Sequence, residues 1–290
     1  MNDDSNENEK RLPAHIVKHP CFSAIASRSY GRIHLPVAPE CNIQCNFCIR
    51  KFDCVNESRP GVTSRVLEPI EALARVDEVM AGGSDNTVVG IAGPGDPLFN
   101  PETFETIRLV GEKHEDMLYC LSTNGLLLPD YVSTLKRLRV TNITVTMNTL
   151  DPVIGAKIYS FVKYDGNVYH GEEGARLLLQ KQIEGIKAAV AEGMAVKVNT
   201  VLIKNVNFDE VEEIAKKISS MGVYMHNLMP VIPQFKFDAS HRPSPEEIAR
   251  LRERCGKWLL QMKHCRQCRS DAVGKLGSCD GSPSCSRSSC

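Results

Sequence analysis

The run CNIQCNFCIRKFDCVNESRP, residues 41–60, decides how this chain is read. It sets Cys41, Cys45 and Cys48 in a C-x3-C-x2-C array, with Cys54 six residues further on. Three thiolates on one short loop can all reach a single soft metal centre. A cubane [4Fe–4S] cluster has four irons, so three cysteines leave one iron without a protein ligand, open to a substrate or cofactor. Zinc is the rival. A structural zinc site closes four ligands, usually as two C-x2-C pairs far apart in sequence. The spacing here is asymmetric and front-loaded, which favours the cluster.

Working outward, 290 residues suffice for one large core, and an α/β barrel of this length is a single domain. Lysine plus arginine equals aspartate plus glutamate at 35 each, so no global charge points to nucleic acid or a membrane surface. No apolar run reaches the roughly eighteen residues of a membrane span. The opening MNDDSNENEKR is acidic and lacks the apolar stretch of a signal peptide. Twelve cysteines without an export signal argue for metal binding rather than disulfides, in a reducing and anaerobic cytoplasm. We expect a disordered acidic tail over 1–14, one barrel domain with cluster-binding extensions over 15–276, and a flexible Cys/Ser-rich tail over 277–290.

Periodicity predicts strands over 33–38, 87–92, 118–122, 142–147, 194–203 and 223–229. Helices are predicted over 69–80, from 101, and over 129–138, 172–191, 208–221 and 245–262, with an irregular connection over 155–171. Six βα units imply a parallel sheet with right-handed crossovers, a partial (β/α)6 TIM-like barrel. Reactive groups of such barrels gather at the carboxyl ends of the strands. The cysteine loop lies on that face. So do the turn after the second strand, with Gly93, Gly95 and Asp96, the strand ends Ser122 and Asn124, and Asn148 and Asn199. Glycine permits close backbone approach to a ligand, whereas the polar residues serve equally as turn caps.

Near the carboxyl end, Cys265 and Cys268 form a C-x2-C pair beside His264. A lone pair completes no metal site. Cys54 is one candidate partner for a cluster, and a zinc knuckle with His264 is the alternative. Cys120 sits inside an apolar strand, where a lone cysteine is ordinarily inert packing. Cys21 and His34 are as ambiguous singly, although imidazole replaces thiolate on cluster iron in Rieske centres. Glu57 and Arg59 flank the cysteine loop, either as a surface ion pair or as a proton acceptor and an anion-steadying cation. Cys255 reads as core, and Cys279, Cys285 and Cys290 as tail thiols.

The C-x3-C-x2-C array with Phe47 before its third cysteine resembles the radical S-adenosylmethionine (SAM) enzymes. The longer run through Cys54 to Pro60 resembles, more narrowly, the NifB family of nitrogenase-cofactor assembly enzymes, as do residues 34–39 and 265–269. That resemblance implies SAM on the open iron and a segment around Gly93, Gly95 and Asp96 that binds its amino group. It also implies two further substrate [4Fe–4S] clusters, K1 on Cys21, His34 and Cys120, and K2 on Cys54, Cys265 and Cys268. The implied reaction is lyase-type: K1 and K2 are fused with a SAM-derived carbide and an extra sulfur into an 8Fe–9S–C precursor. The implied partners are iron–sulfur donor proteins, an electron donor and a downstream carrier or scaffold. Ile49 stands where the family usually carries asparagine, and the chain is expected to be a short form without a C-terminal carrier domain. A radical SAM enzyme modifying a peptide or small molecule, and a non-catalytic iron–sulfur carrier or zinc protein, are the alternatives.

Overall fold

The computed structural model describes residues 12–55, 63–83 and 85–276. Two short helices, α1 (Ala14–Val17) and α2 (Ala26–Ser29), lead into β1 (Gly31–His34) and the cysteine loop with β2 (Ile43–Cys45). Then follow α3 (Pro69–Ala81), β3 (Asn86–Ile91), α4 (Pro101–Lys113), β4 (Leu118–Thr123), α5 (Leu128–Arg137) and β5 (Val140–Thr146). The chain continues through α6 (Pro152–Ile158), β6 (Tyr159–Tyr164), β7 (Asn167–Tyr169), α7 (Gly171–Ala191), β8 (Ala195–Leu202), α8 (Val211–Ser220) and β9 (Met225–Pro230). It closes with α9 (Pro245–Cys255), β10 (Leu260–Gln261) and β11 (Val273–Gly274).

One sheet has the strand order β10–β9–β8–β5–β4–β3–β1–β11, parallel except for the antiparallel β1/β11 pair. Strands β1, β3, β4, β5, β8 and β9 each feed a helix, so the six expected βα units form the partial barrel. Sequence order rises steadily from β1 to β9 across the sheet, as right-handed crossovers require.

Period-two alternation sorts the side chains of each strand. Ile33, Val89, Leu121, Val145 and Val196 face the helices, where they pack with Val76, Ile107, Leu135, Ile186 and Ile214. All ten are essentially inaccessible to water, and burying a side chain of this size contributes about 1.5–3 kcal/mol. Proline begins α3, α4 and α9, where its missing N–H is no loss. Ser244 and Glu247 close a reciprocal capping box on α9.

Three boundaries differ from expectation. The ladder of β1 stops at His34 because Pro36 has no N–H to donate; beyond Leu35, only Ala38 rejoins, bridging Pro94. The helix predicted to reach 262 ends at Cys255, capped by Gly256, and residues 260–261 instead extend the sheet beside β9. The stretch expected to be irregular holds α6 and a hairpin. Asp165 and Gly166 both have positive φ (49° and 73°), as a type I′ turn needs.

His226 on β9 is fully buried, and its Nε2 lies 2.9 Å from Thr200 Oγ1. That hydroxyl donates its own proton to the Met147 carbonyl (2.7 Å), so the ring donates through Nε2 and stays neutral. Burial pushes the imidazole down to about 3 from its ordinary 6.5. The stability this represents is complete above pH 6.5 and is lost as pH falls from 6.5 toward 3. Lowering pH from 7.5 to 5 should cost about 2 kcal/mol at this residue. Urea unfolding at the two pH values checks this: His226→Gln, which keeps a donor to Thr200, should remove that part of the pH dependence.

Candidate functional site

The cysteine loop is held by its backbone, which leaves the thiols to face inward. Strand β2 pairs antiparallel with β6, Ile43 opposite Val162, Gln44 opposite Phe161 and Cys45 opposite Tyr159. Gln44 Nε2 donates to the carbonyls of Cys45 (2.9 Å) and Cys48 (2.8 Å), and Gln234 Nε2 to that of Phe47 (2.8 Å). Asn46 Nδ2 donates to Lys157 O at 2.8 Å. Amide side chains thus satisfy a loop that has almost no regular structure of its own.

Cys41, Cys45, Cys48 and Cys54 line a cavity with Arg50, Gly95, Asp96, Ser122, Thr123 and Asn124. Burial raises the Cys41 and Cys48 thiols above the ordinary cysteine range, and the Arg50 guanidinium opposes this. Arg50 also donates to the Ile43 carbonyl and to Gln44 Oε1, so it is fixed beside the sulfurs. Asn124 Nδ2 donates to Asn42 Oδ1 (2.6 Å) and lies 3.7 Å from Cys41 Sγ. Such N–H groups beside sulfur tune a cluster's potential. The buried Ser122 hydroxyl has no hydrogen-bond partner among the described residues. The array thiols lining this cavity, the amide at one sulfur and the orphaned hydroxyl fit a [4Fe–4S] cluster with a polar ligand beside it.

The turn after β3 locks this arrangement. Asp96, 3% exposed, accepts from Leu98 N (3.0 Å), Thr123 Oγ1 (3.0 and 2.9 Å) and Asn124 N (2.6 Å). Burial raises its carboxyl, and these hydrogen bonds oppose the shift. Gly95 N donates to Ala38 O (2.5 Å) and Asp96 N to Glu40 O (2.8 Å). A Cβ on Gly95 would collide with the backbone of Glu40, which Asn100 holds from the other side. Asp96 therefore acts first as a brace between strand ends.

A second cavity is lined by Cys21, His34, Lys197, Asn199, Asn227, Met229, Met262, Cys265, Arg266, Gln267, Cys268 and Leu276. His34 Nδ1 lies 3.0 Å from the Arg269 carbonyl, which only accepts, so the proton sits on Nδ1 and Nε2 keeps the lone pair. Burial, then Arg32, lowers the ring to about 4, so it is the neutral form that a metal requires. Gly90 lies opposite His34 in the ladder, and a Cβ there would come within 2.7 Å of the ring. Burial pushes the Cys21 thiol up to about 11 against the pull of Lys197.

Most of the candidate residues are thus distributed between two chambers, whereas Gly93, Cys120 and Asn148 are in the lining of neither. Cys54 belongs to the first, yet a Cβ on Gly93 would lie 3.6 Å from Cys54 Cβ and 3.4 Å from Ser270 Oγ, so the Cys265–Cys268 loop ends beside it. Cys120 stands on β4 between Gly90 and Asn142 and, like Cys21, packs against the small cluster of Ile16, Phe22 and Ala195. Asn199 faces the second chamber, where it accepts from Asn227 Nδ2 at 3.1 Å. Asn148 lines neither chamber: its amide donates to Tyr159 Oη (3.2 Å) and accepts from Val201 N (2.9 Å). His264 Nε2 is engaged with the Pro20 carbonyl at 3.1 Å. Among the described residues no group of three His, Cys, Asp or Glu side chains is close enough to share one metal ion. Cys255 is core, its sulfur against the Val211 carbonyl. Glu57, Arg59, Cys279, Cys285 and Cys290 lie outside the described residues.

Sequence reading missed Gln44, Arg50, Gly90, Asn100 and Lys197. Only Lys197 carried a plain signal, a charge in the middle of the apolar strand AVKVNTVL.

The family model for the Radical SAM superfamily matches residues 35–218. The FeMo cofactor biosynthesis protein NifB of Methanocaldococcus infernus is 48% identical over 266 residues, covering 91% of this chain and 87% of that protein. The protein of the same name from Chlorobaculum tepidum is 46% identical over 269 residues, covering 92% of this chain and 63% of its own length. This chain spans about half the length of further relatives. Among solved structures, a radical SAM methyltransferase from Sphaerobacter thermophilus superposes with a TM-score of 0.58 at 20% identity, covering 79% of this chain and 64% of that one; it shares the fold.

Two glycines test the geometry. Gly95→Ala should lose about 3 kcal/mol of stability by overpacking against Glu40, together with iron binding at the first chamber. Gly90→Ala should lose only about 1 kcal/mol, through the broken His34–Arg269 bond. It should lower iron content after anaerobic reconstitution while leaving the first chamber loaded. Iron assays and thermal unfolding check both; wild-type iron content in either variant would contradict the close approach.

Proposed function

Because the chain belongs to the NifB family of the Radical SAM superfamily, we propose that it fuses two [4Fe–4S] substrate clusters with a SAM-derived carbide. One further sulfur completes the product, the 8Fe–9S–C precursor of the nitrogenase active-site cofactor, in a lyase-type reaction. The observation that carries this reading is the pairing of chambers. One holds the three clustered thiols, and the other gathers thiols and an imidazole from the amino end, β1 and the carboxyl end.

Cys41, Cys45 and Cys48 would hold the SAM-binding cluster, with Gly93, Gly95, Asp96, Ser122 and Asn124 framing SAM. When bound, that cluster supplies the open iron and the electron that turn SAM into a source of 5′-deoxyadenosyl radical. Hydrogen bonds from the Gln44 amide to the Cys45 and Cys48 carbonyls, and from the Gln234 amide to that of Phe47, keep the thiol triangle fixed, which favours one geometry of attack. Cys54, Cys265 and Cys268 would hold the substrate cluster K2, and Cys21, His34 and Cys120 the substrate cluster K1. Support for a shared reaction space comes from Gly93, where a single Cβ would touch both Cys54 and Ser270, two residues past Cys268. The buried helix-facing layer keeps water out of the barrel wall behind both chambers.

The partners proposed are iron–sulfur donor proteins, an electron donor and a carrier or scaffold that receives the product, all in a reducing, anaerobic cytoplasm. No helix among the described residues is long and apolar enough to cross a membrane.

The test is product analysis under anaerobic reduction. The reading expects both S-adenosylhomocysteine and 5′-deoxyadenosine, about twelve irons per chain from three cubanes, and no deoxyadenosine from Cys45→Ala. Deoxyadenosine without S-adenosylhomocysteine would favour modification of a peptide or small molecule. SAM cleavage surviving Cys45→Ala would sink the radical assignment.

A further inference from the structure

Lys197 is a cation inside the barrel wall. It occupies the middle of β8, every residue of which is buried, and is itself only 5% exposed. Its neighbours Val196 and Val198 face the helices, so Lys197 and Asn199 project to the opposite side and line the second chamber. The ammonium stands 5.3 Å from the centroid of the Phe22 ring, which packs it against the residue following Cys21.

The described residues that line the chamber include two cations, Lys197 and Arg266, and no carboxylate. The nearby carboxylate of Asp271 is bound bidentately by Arg269, at 2.7 Å for each bond. Thiols, a neutral imidazole and two cations make a chamber that selects for an anion.

We propose that Lys197 is a positioning residue for the substrate clusters, its buried ammonium neutralising anionic cubanes gathered by Cys21, His34, Cys265 and Cys268. This inference rests on the functional reading above. A thiolate-ligated cubane is an anion, and two of them brought together in a water-poor cavity repel. Fusion needs them in contact. A fixed cation on the barrel wall offsets that repulsion without consuming a ligand position, and an ammonium has no lone pair with which to compete for iron.

The experiment compares the full chain with Lys197→Met and Lys197→Arg after anaerobic reconstitution with iron and sulfide. The midpoint potentials of the clusters are followed by EPR-monitored titration, and their release to a chelator is timed. Removing a cation disfavours the more negative reduced state. Lys197→Met should therefore shift the second-chamber clusters to lower potential and speed their loss at least about tenfold. The Cys41/Cys45/Cys48 cluster serves as the internal reference, and Lys197→Arg should restore both properties. Lys197→Gln, which keeps polarity without charge, gives the same reading should the methionine variant fold poorly. Wild-type potentials and release rates in the neutral variants would overturn the assignment of Lys197 alone. A wild-type chain that holds no more than one cluster would overturn the functional reading, and this assignment with it.

Discussion

One buried carboxylate joins three strand ends. Asp96 accepts hydrogen bonds from the end of β4 and from its own turn, while its backbone N–H reaches back to Glu40 at the root of the cysteine loop. Hydrogen bonds to an ionised oxygen are roughly twice as strong as neutral ones, and a low local dielectric strengthens them further. Through Asp96 the position of Asn124, and hence of the amide beside Cys41 Sγ, is coupled to the path of the chain entering the thiol array. Gly95 makes this possible, since no side chain fits between the turn and the Glu40 backbone. The cysteine loop itself contributes little rigidity. It borrows its shape from the turn on one side and the β6/β7 hairpin on the other.

The barrel departs from the usual arrangement in which layers of branched apolar side chains fill the interior. Here the inward positions carry His34, Cys120, Ser122, Lys197 and Asn199, several of them lining cavities. Such an interior forfeits part of the packing energy a filled barrel would have. Stability comes from the opposite face of the sheet, where the apolar halves of the same strands meet the helices. Period-two alternation thus separates the part of the strand that folds the protein from the part that does its chemistry. Residues on adjacent positions of one strand serve different ends, as Val196, Lys197 and Val198 illustrate.

What the sequence made legible was local. The cysteine array and the turn after β3 are each written in fewer than ten consecutive residues, the βα alternation is read one element at a time, and all six βα units are present. The hairpin over β6 and β7 escaped because its strands are short and half-exposed, although the Asp165–Gly166 pair was its signature. The carboxyl end of α9 escaped because the apolar residues after Gly256 kept a helical spacing while actually extending the sheet edge. Long-range convergence was not legible in spacing or periodicity, and only the family resemblance put Cys21 with His34. No spacing rule predicts that Cys21, His34 and Cys265 share a cavity, since only the closure of the barrel and the β1/β11 pairing bring those segments together. The same is true of His34 and Gly90, whose relation exists only in the register between β1 and β3.

The account turns on one exposed iron in the first chamber and anionic clusters in the second. Anaerobic EPR of the reconstituted chain, recorded with and without SAM, reads both in one measurement. The account predicts several reduced-cubane signals, of which one alone changes on addition of SAM while the others keep their line shape. A spectrum in which SAM alters no signal, or in which a single cubane accounts for all the iron, would contradict it.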